Sequence, residues 1–131
     1  MKQADWIFHN AIVLTMDKDF NIYDPGAVVV EGDSIVAVGP ENKILQEFQA
    51  ADLIDCNQKI LMPGLINAHT HVPMTLLRGL ADDLRLDVWL MGYMMPVERE
   101  FVSPEFVRLG TKLACADCIR SGVTTFVDMY Y

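Results

Sequence analysis

A chain of 131 residues with 52% apolar content is long enough to bury a core of its own, and nothing in its composition suggests disorder. Its formal charge of -8, spread along the chain without any run of Lys or Arg, excludes a nucleic-acid face and an anionic-membrane patch and leaves small molecules as partners. The opening "MKQADWIFHN" carries Asp5 and His9 where a signal peptide requires an unbroken apolar stretch. No later run reaches the roughly 18 apolar residues of a spanning helix, so a soluble cytoplasmic protein is expected.

From Asp5 to about Pro40 the text is β-rich. "DWIFHNAIVLTM" and "GAVVVEGDSIVAVG" are dense in Val and Ile, and "EGDS" separates two apolar runs as a hairpin turn would, which predicts a small antiparallel sheet. His9, on its first strand, reads as structural. "PENKILQEF" predicts a short helix, and "DLIDCNQKILMPG" adds short strands before the Pro63-Gly64 breaker. "LINAHTH" then reads as a strand, followed by helical stretches at approximately Leu86 to Glu100 and Pro104 to Ser121. The second has Ser103 at the N-cap, Pro104 at the first helical position and Gly122 just past the end.

"VTTFVDMYY" is a further β-rich run, and strand, helices, strand is the unit of a parallel sheet with a right-handed crossover. Two parallel strands neither close a barrel nor cover both of their faces. The chain is therefore expected to be a piece of a longer architecture, and to aggregate or need the remaining chain when expressed alone.

Three cysteines, an odd number without a signal peptide, argue against a disulfide framework. Cys115 and Cys118 form a C-x-x-C, but they lie within "SPEFVRLGTKLACADCIRSG", where Phe106, Leu109, Leu113, Ala116 and Ile119 recur at helical spacing. A knuckle pair belongs on a tight turn with further ligands, so helix packing is the expected role.

The chemistry-bearing stretch is "NAHTH". Side chains at i and i+2 of a strand share a face, with Cα atoms about 6.7 Å apart, so His69 and His71 point the same way. Such a pair suits a shared metal ion at metal–nitrogen distances of ~2.0 to 2.1 Å. It equally suits two core histidines bonded to backbone carbonyls, and spacing alone does not choose between these.

"LMPGLINAHTHVPMTLLRGLADDL" resembles the first-strand signature of the amidohydrolase superfamily. "PMTLLRGLADDLRLDVWL", "MPVERE" and "GVTTFVDMYY" are similar to its branch of 5-methylthioadenosine/S-adenosylhomocysteine deaminases and related chlorohydrolases. The resemblance spans nearly the whole chain. It implies an α/β fold, the N-terminal part of a metal-dependent (β/α)8 TIM barrel preceded by part of a small flanking β-sandwich, with residues 1–60 in the sandwich and 61–131 supplying the barrel's first two strands and intervening helices.

The resemblance also implies one divalent ion, zinc or similar, with His69 and His71 as its first-strand ligands. A histidine of the fifth strand, an aspartate of the eighth, a sixth-strand histidine and a general acid/base glutamate complete the family's site, and all of these are expected beyond Tyr131. Glu98 matches the glutamate that accepts hydrogen bonds from ribose hydroxyls, and Trp89 matches a tryptophan beside the nucleoside pocket, with plain packing as the alternative role of its ring. Without the family match, Glu98 is a solvated helix-end carboxylate paired with Arg99 or with nothing. Met91, Met94 and Met95 fit adaptable core filling or a thioether-tolerant pocket. Asp128 is expected to orient a ligand histidine.

The implied reaction is deamination of an adenine nucleoside to its inosine analogue. The alternatives are a guanine, cytosine or triazine aminohydrolase, or a non-catalytic structural or interaction module; homo-oligomerisation is left open.

Overall fold

The computed structural model describes residues 1–130, so the final residue of the predicted last strand, Tyr131, lies outside the described residues. The chain divides into two compact units, Met1–Pro63 and Gly64–Tyr131.

The first unit is one five-stranded sheet and a short helix. Strand β1 (Lys2–Leu14) pairs antiparallel with β2 (Ile22–Glu31), which pairs antiparallel with β3 (Ser34–Pro40) across the two-residue turn Gly32–Asp33. The predicted hairpin at "EGDS" is this turn, and Asp5 Oδ2 accepts the Gly32 N–H at 2.6 Å. The sheet is mixed, however, and not purely antiparallel. Helix α1 (Glu41–Glu47) carries the chain across so that β4 (Phe48–Asp55) and β5 (Ile60–Leu61) re-enter parallel to β1. A crossover helix is what permits parallel re-entry, whereas a tight turn returns the strand antiparallel.

Ile44 of α1 packs with Ile7, Ala27, Val29 and Phe48 in the larger core cluster. Ala11, Val13 and Val28 form a second cluster. Adjacent residues Val28 and Val29 thus serve different clusters, as the alternation of side chains along a strand requires. His9 Nδ1 lies 3.0 Å from Glu41 Oε1, the same oxygen that accepts the Asn10 N–H, so this histidine ties β1 to α1.

The second unit begins with β6 (Leu65–Thr70), which pairs parallel with β7 (Val123–Asp128). Between them run a 3₁₀ turn at Val72–Leu77, a continuous helical stretch and helix α4 (Pro104–Arg120). The stretch comprises α2 (Leu86–Val88), a π-helical turn at Trp89–Met94 and α3 (Met95–Phe101). Helix α4 starts as its sequence predicts, with Ser103 Oγ accepting the Phe106 N–H at 3.2 Å and Pro104 in the first turn. It stops at Gly122, whose φ of +74° is strained for any residue with a Cβ.

The buried positions of α4 are Gly110 and Ala114, while Leu109 and Ile119 of the apolar series remain 52% and 77% exposed. Gly110 explains the choice of face. A Cβ there would overlap the Pro73 carbonyl oxygen and lie 2.8 Å from Pro73 Cα, so only glycine lets α4 approach the 3₁₀ turn this closely. Arg78 and Asp117 clip the same two elements together at 2.9 Å.

Gly110→Ala is therefore expected to destabilise the protein, although the same change in an open helix would stabilise it by about 1 kcal/mol through propensity. Forcing extra volume against fixed backbone costs about 1 to 3 kcal/mol, which outweighs that gain. Thermal or denaturant unfolding of the variant decides the sign. A raised Tm would show that the contact yields freely.

Candidate functional site

The site is built where β6 and β7 end together. His69 lies on β6 and His71 one residue past its end. Their ring centroids are 5.3 Å apart, with the planes at 81°. Asn67 Oδ1 accepts the His69 backbone N–H at 3.1 Å, which holds the strand end beneath the exposed His69 ring.

His71 is more tightly fixed. Its Nδ1 lies 2.5 Å from the Met129 carbonyl oxygen. A carbonyl only accepts, so Nδ1 carries a proton, and in the neutral ring Nε2 is the nitrogen that presents its lone pair. Asp128 does something other than orient a histidine: its Oδ1 accepts the Val72 N–H at 2.9 Å, fixing the main chain immediately after His71. The backbone route to the ring is the shorter one, because the residue after Asp128 already places a carbonyl beside Nδ1.

Past these strand ends lies a cleft of about 370 Å³ whose lining includes His71, Met74, Trp89, Leu90, Glu98 and Tyr130. Three of the residues singled out in the sequence, His71, Trp89 and Glu98, thus meet at one cavity, with His69 adjoining through its ring contact with His71. Glu98, on α3, is 9% exposed, and its Oε1 accepts from the Tyr130 hydroxyl at 2.8 Å. Its partner is Tyr130 and not Arg99. A buried carboxylate needs such a donor, since leaving it unpaired costs several kcal/mol.

Of the three methionines, only Met94 is buried; Met91 and Met95 are exposed, and none of the three lines this cleft. Cys115 and Cys118 are free thiols within α4.

Tyr130 and Met129 were not singled out from the sequence. Met129 acts through its carbonyl, for which no residue type is a signal, and Tyr130 reads as one more aromatic in an apolar strand. The only available clue was position, immediately after the second parallel strand.

The donor set suits half of a metal centre. Two imidazoles on one tetrahedral ion, each with a metal–nitrogen distance of ~2.0 to 2.1 Å, place their centroids about 5 Å apart, close to the separation of His69 and His71. The Nδ1–H bond of His71 to a backbone acceptor is the outer contact that ligating histidines usually make. Among the described residues no group of three or more His, Cys, Asp or Glu converges for a metal, so further ligands would have to come from elsewhere.

The model of the amidohydrolase family matches residues 60–131. A 5-methylthioadenosine/S-adenosylhomocysteine deaminase of Syntrophobacter fumaroxidans is 48% identical over 128 residues, covering 98% of this chain and 29% of the relative. A 5′-deoxyadenosine deaminase of Methanosarcina mazei is 45% identical over 129 residues, covering 98% of this chain and 28% of that protein. Among solved structures, an adenosine deaminase of Xanthomonas campestris with bound zinc superposes with a TM-score of 0.90 at 41% identity, over 99% of this chain and 30% of that one. The chain thus spans about three tenths of the length of these proteins. No helix among the described residues is long and apolar enough to cross a membrane.

The hydrogen bond to Met129 predicts the tautomer of the neutral His71 ring. Nitrogen-15 shifts should show Nδ1 protonated and Nε2 bare in metal-free protein. The opposite pattern would mean that the contact with the carbonyl is not a hydrogen bond.

Proposed function

We propose, since the chain belongs to the amidohydrolase family, that the intact protein is a metal-dependent aminohydrolase converting an adenine nucleoside and water into the inosine analogue and ammonia. The substrates favoured are 5-methylthioadenosine and S-adenosylhomocysteine, in line with the names of its relatives. In this reading the first unit is part of a small β-sandwich, and the second supplies the first two strands of a (β/α)8 barrel, whose active sites gather at the carboxyl ends of the strands. The observation that carries it is the cleft joining His71 to Glu98 and Trp89 at that end of β6 and β7.

Each residue has a part. His69 and His71 would hold the divalent ion, zinc being the metal bound in the Xanthomonas campestris relative. A divalent cation, when bound, supplies Lewis acidity that turns water into a nucleophile at neutral pH. His71 would offer it Nε2, since Nδ1 donates its proton to the Met129 carbonyl. Glu98 offers the carboxylate oxygen that Tyr130 does not occupy to the ribose hydroxyls, and the charge on the carboxylate strengthens that contact. The Trp89 ring lines the apolar part of the nucleoside site.

His69→Ala or His71→Ala in the intact protein is expected to remove most bound metal and nearly all turnover while leaving the fold largely in place, since either change opens the coordination shell. Metal analysis of the purified variants checks this. Full occupancy in both would take these histidines out of the ligand set.

Glu98→Ala should leave metal content intact and lower kcat/KM for adenine ribonucleosides. Hydrogen bonds to a charged partner contribute on the order of 1.5 to 3 kcal/mol, or roughly ten- to a hundredfold. The defect should shrink for a 2′,3′-dideoxy analogue, which has no diol to lose. Equal losses on both substrates would turn the assignment towards a free-base or triazine aminohydrolase.

A further inference from the structure

The geometry points to Tyr130 as a positioning residue for recognition of the ribose diol, acting through Glu98; this rests on the reading of Glu98 given above. The Tyr130 hydroxyl donates to Glu98 Oε1 at 2.8 Å, and both residues line the same cleft. Among the described residues, no buried side-chain oxygen or nitrogen lacks a hydrogen-bond partner. Among the described residues Glu98 Oε2 has no hydrogen-bond partner, so it keeps access to solvent, and it is the oxygen left for an incoming hydroxyl.

A carboxylate on a flexible stem with one oxygen unheld can turn about its last torsion. Such terminal torsions have broad preferences, so an ordered acceptor needs an external restraint. Tyr130 provides it by occupying Oε1. It also costs little entropy on binding, because the phenol has few torsions to freeze and its ring lies in the cleft wall.

The restraint comes from the same peptide segment that orients His71. Met129 gives its carbonyl to His71 Nδ1, and the next residue gives its hydroxyl to Glu98. The hydroxyl takes no part in bond making or breaking. It selects a substrate by where it holds the diol acceptor.

The test is Tyr130→Phe in the intact metal-loaded protein, assayed on adenosine and on 2′,3′-dideoxyadenosine. Loss of one oriented hydrogen bond should raise KM for adenosine roughly three- to tenfold with kcat nearly unchanged, and leave the dideoxy substrate within about twofold. The ratio of kcat/KM for the two substrates is the decisive readout, because a misfolded fraction lowers both values equally and cancels. In a Glu98→Ala background, Tyr130→Phe should change that ratio no further, as two residues acting through one contact require.

An unchanged ratio in Tyr130→Phe, alongside a reduced ratio in Glu98→Ala, overturns the role of Tyr130 and leaves that of Glu98 standing. An additional reduction of the ratio in the double variant equally overturns it, by showing that Tyr130 reads the substrate independently. If Glu98→Ala itself leaves the ratio unchanged, both assignments fall.

Discussion

The second unit depends on how two parallel strands are tied together at their carboxyl ends. Met129 N–H donates to the Thr70 carbonyl at 3.2 Å, its own carbonyl accepts from His71 Nδ1, and Asp128 takes the Val72 N–H. Each bond crosses from the exit of β7 to the exit of β6. Parallel strands have evenly spaced but slanted ladder bonds, and this ladder shows register irregularities on either side of Ile66 and Asn67. The ties beyond its end add to what the ladder gives residues 70 to 72, and His71 is held at both its ring and its following peptide.

The packing behind His71 reinforces the same point. The buried residues of the second unit other than Glu98, namely Val72, Pro73, Met94, Gly110 and Ala114, include the start of the 3₁₀ turn and the face of α4 nearest to it. Close packing transmits small displacements because interiors have few voids to absorb them. Burial is thus concentrated around the turn that follows the histidine, while Leu109, Leu113 and Ile119 on α4 remain open to solvent. The glycine at position 110 is part of this arrangement: it permits the helix backbone to sit directly against Pro73.

Much of this was legible from residue types. Ser103, Pro104 and Gly122 marked α4, because capping is local chemistry and needs no tertiary partner. The i, i+2 spacing placed His69 and His71 together, because strand alternation is equally local. Three features escaped for a common reason. The mixed pairing of the first sheet depends on where α1 sends the chain, the burial of Gly110 on the approach of another element, and the orientation of His71 on a backbone carbonyl. None of these leaves a side-chain pattern along the sequence. Asp128 shows the limit most clearly: an acidic residue at a strand end was a sound candidate to orient a histidine, yet a neighbouring main-chain donor lay closer to its reach.

The exposed apolar surface of the second unit has a physical meaning beyond its share of the relatives' length. Ile66 on β6 and Val127 on β7 are 68% and 58% exposed, although parallel strands are ordinarily covered on both faces. Burying such side chains stabilises by about 1.5 to 3 kcal/mol each, so within this unit these strands lack much of the packing free energy available to strands of their composition. The ties among Thr70, His71, Val72 and residues 128 to 129 are hydrogen bonds between adjacent strand exits and need no cover from a further layer to form. Local bonding sets the geometry around His71, and burial of the sheet faces would determine how stably that geometry is held.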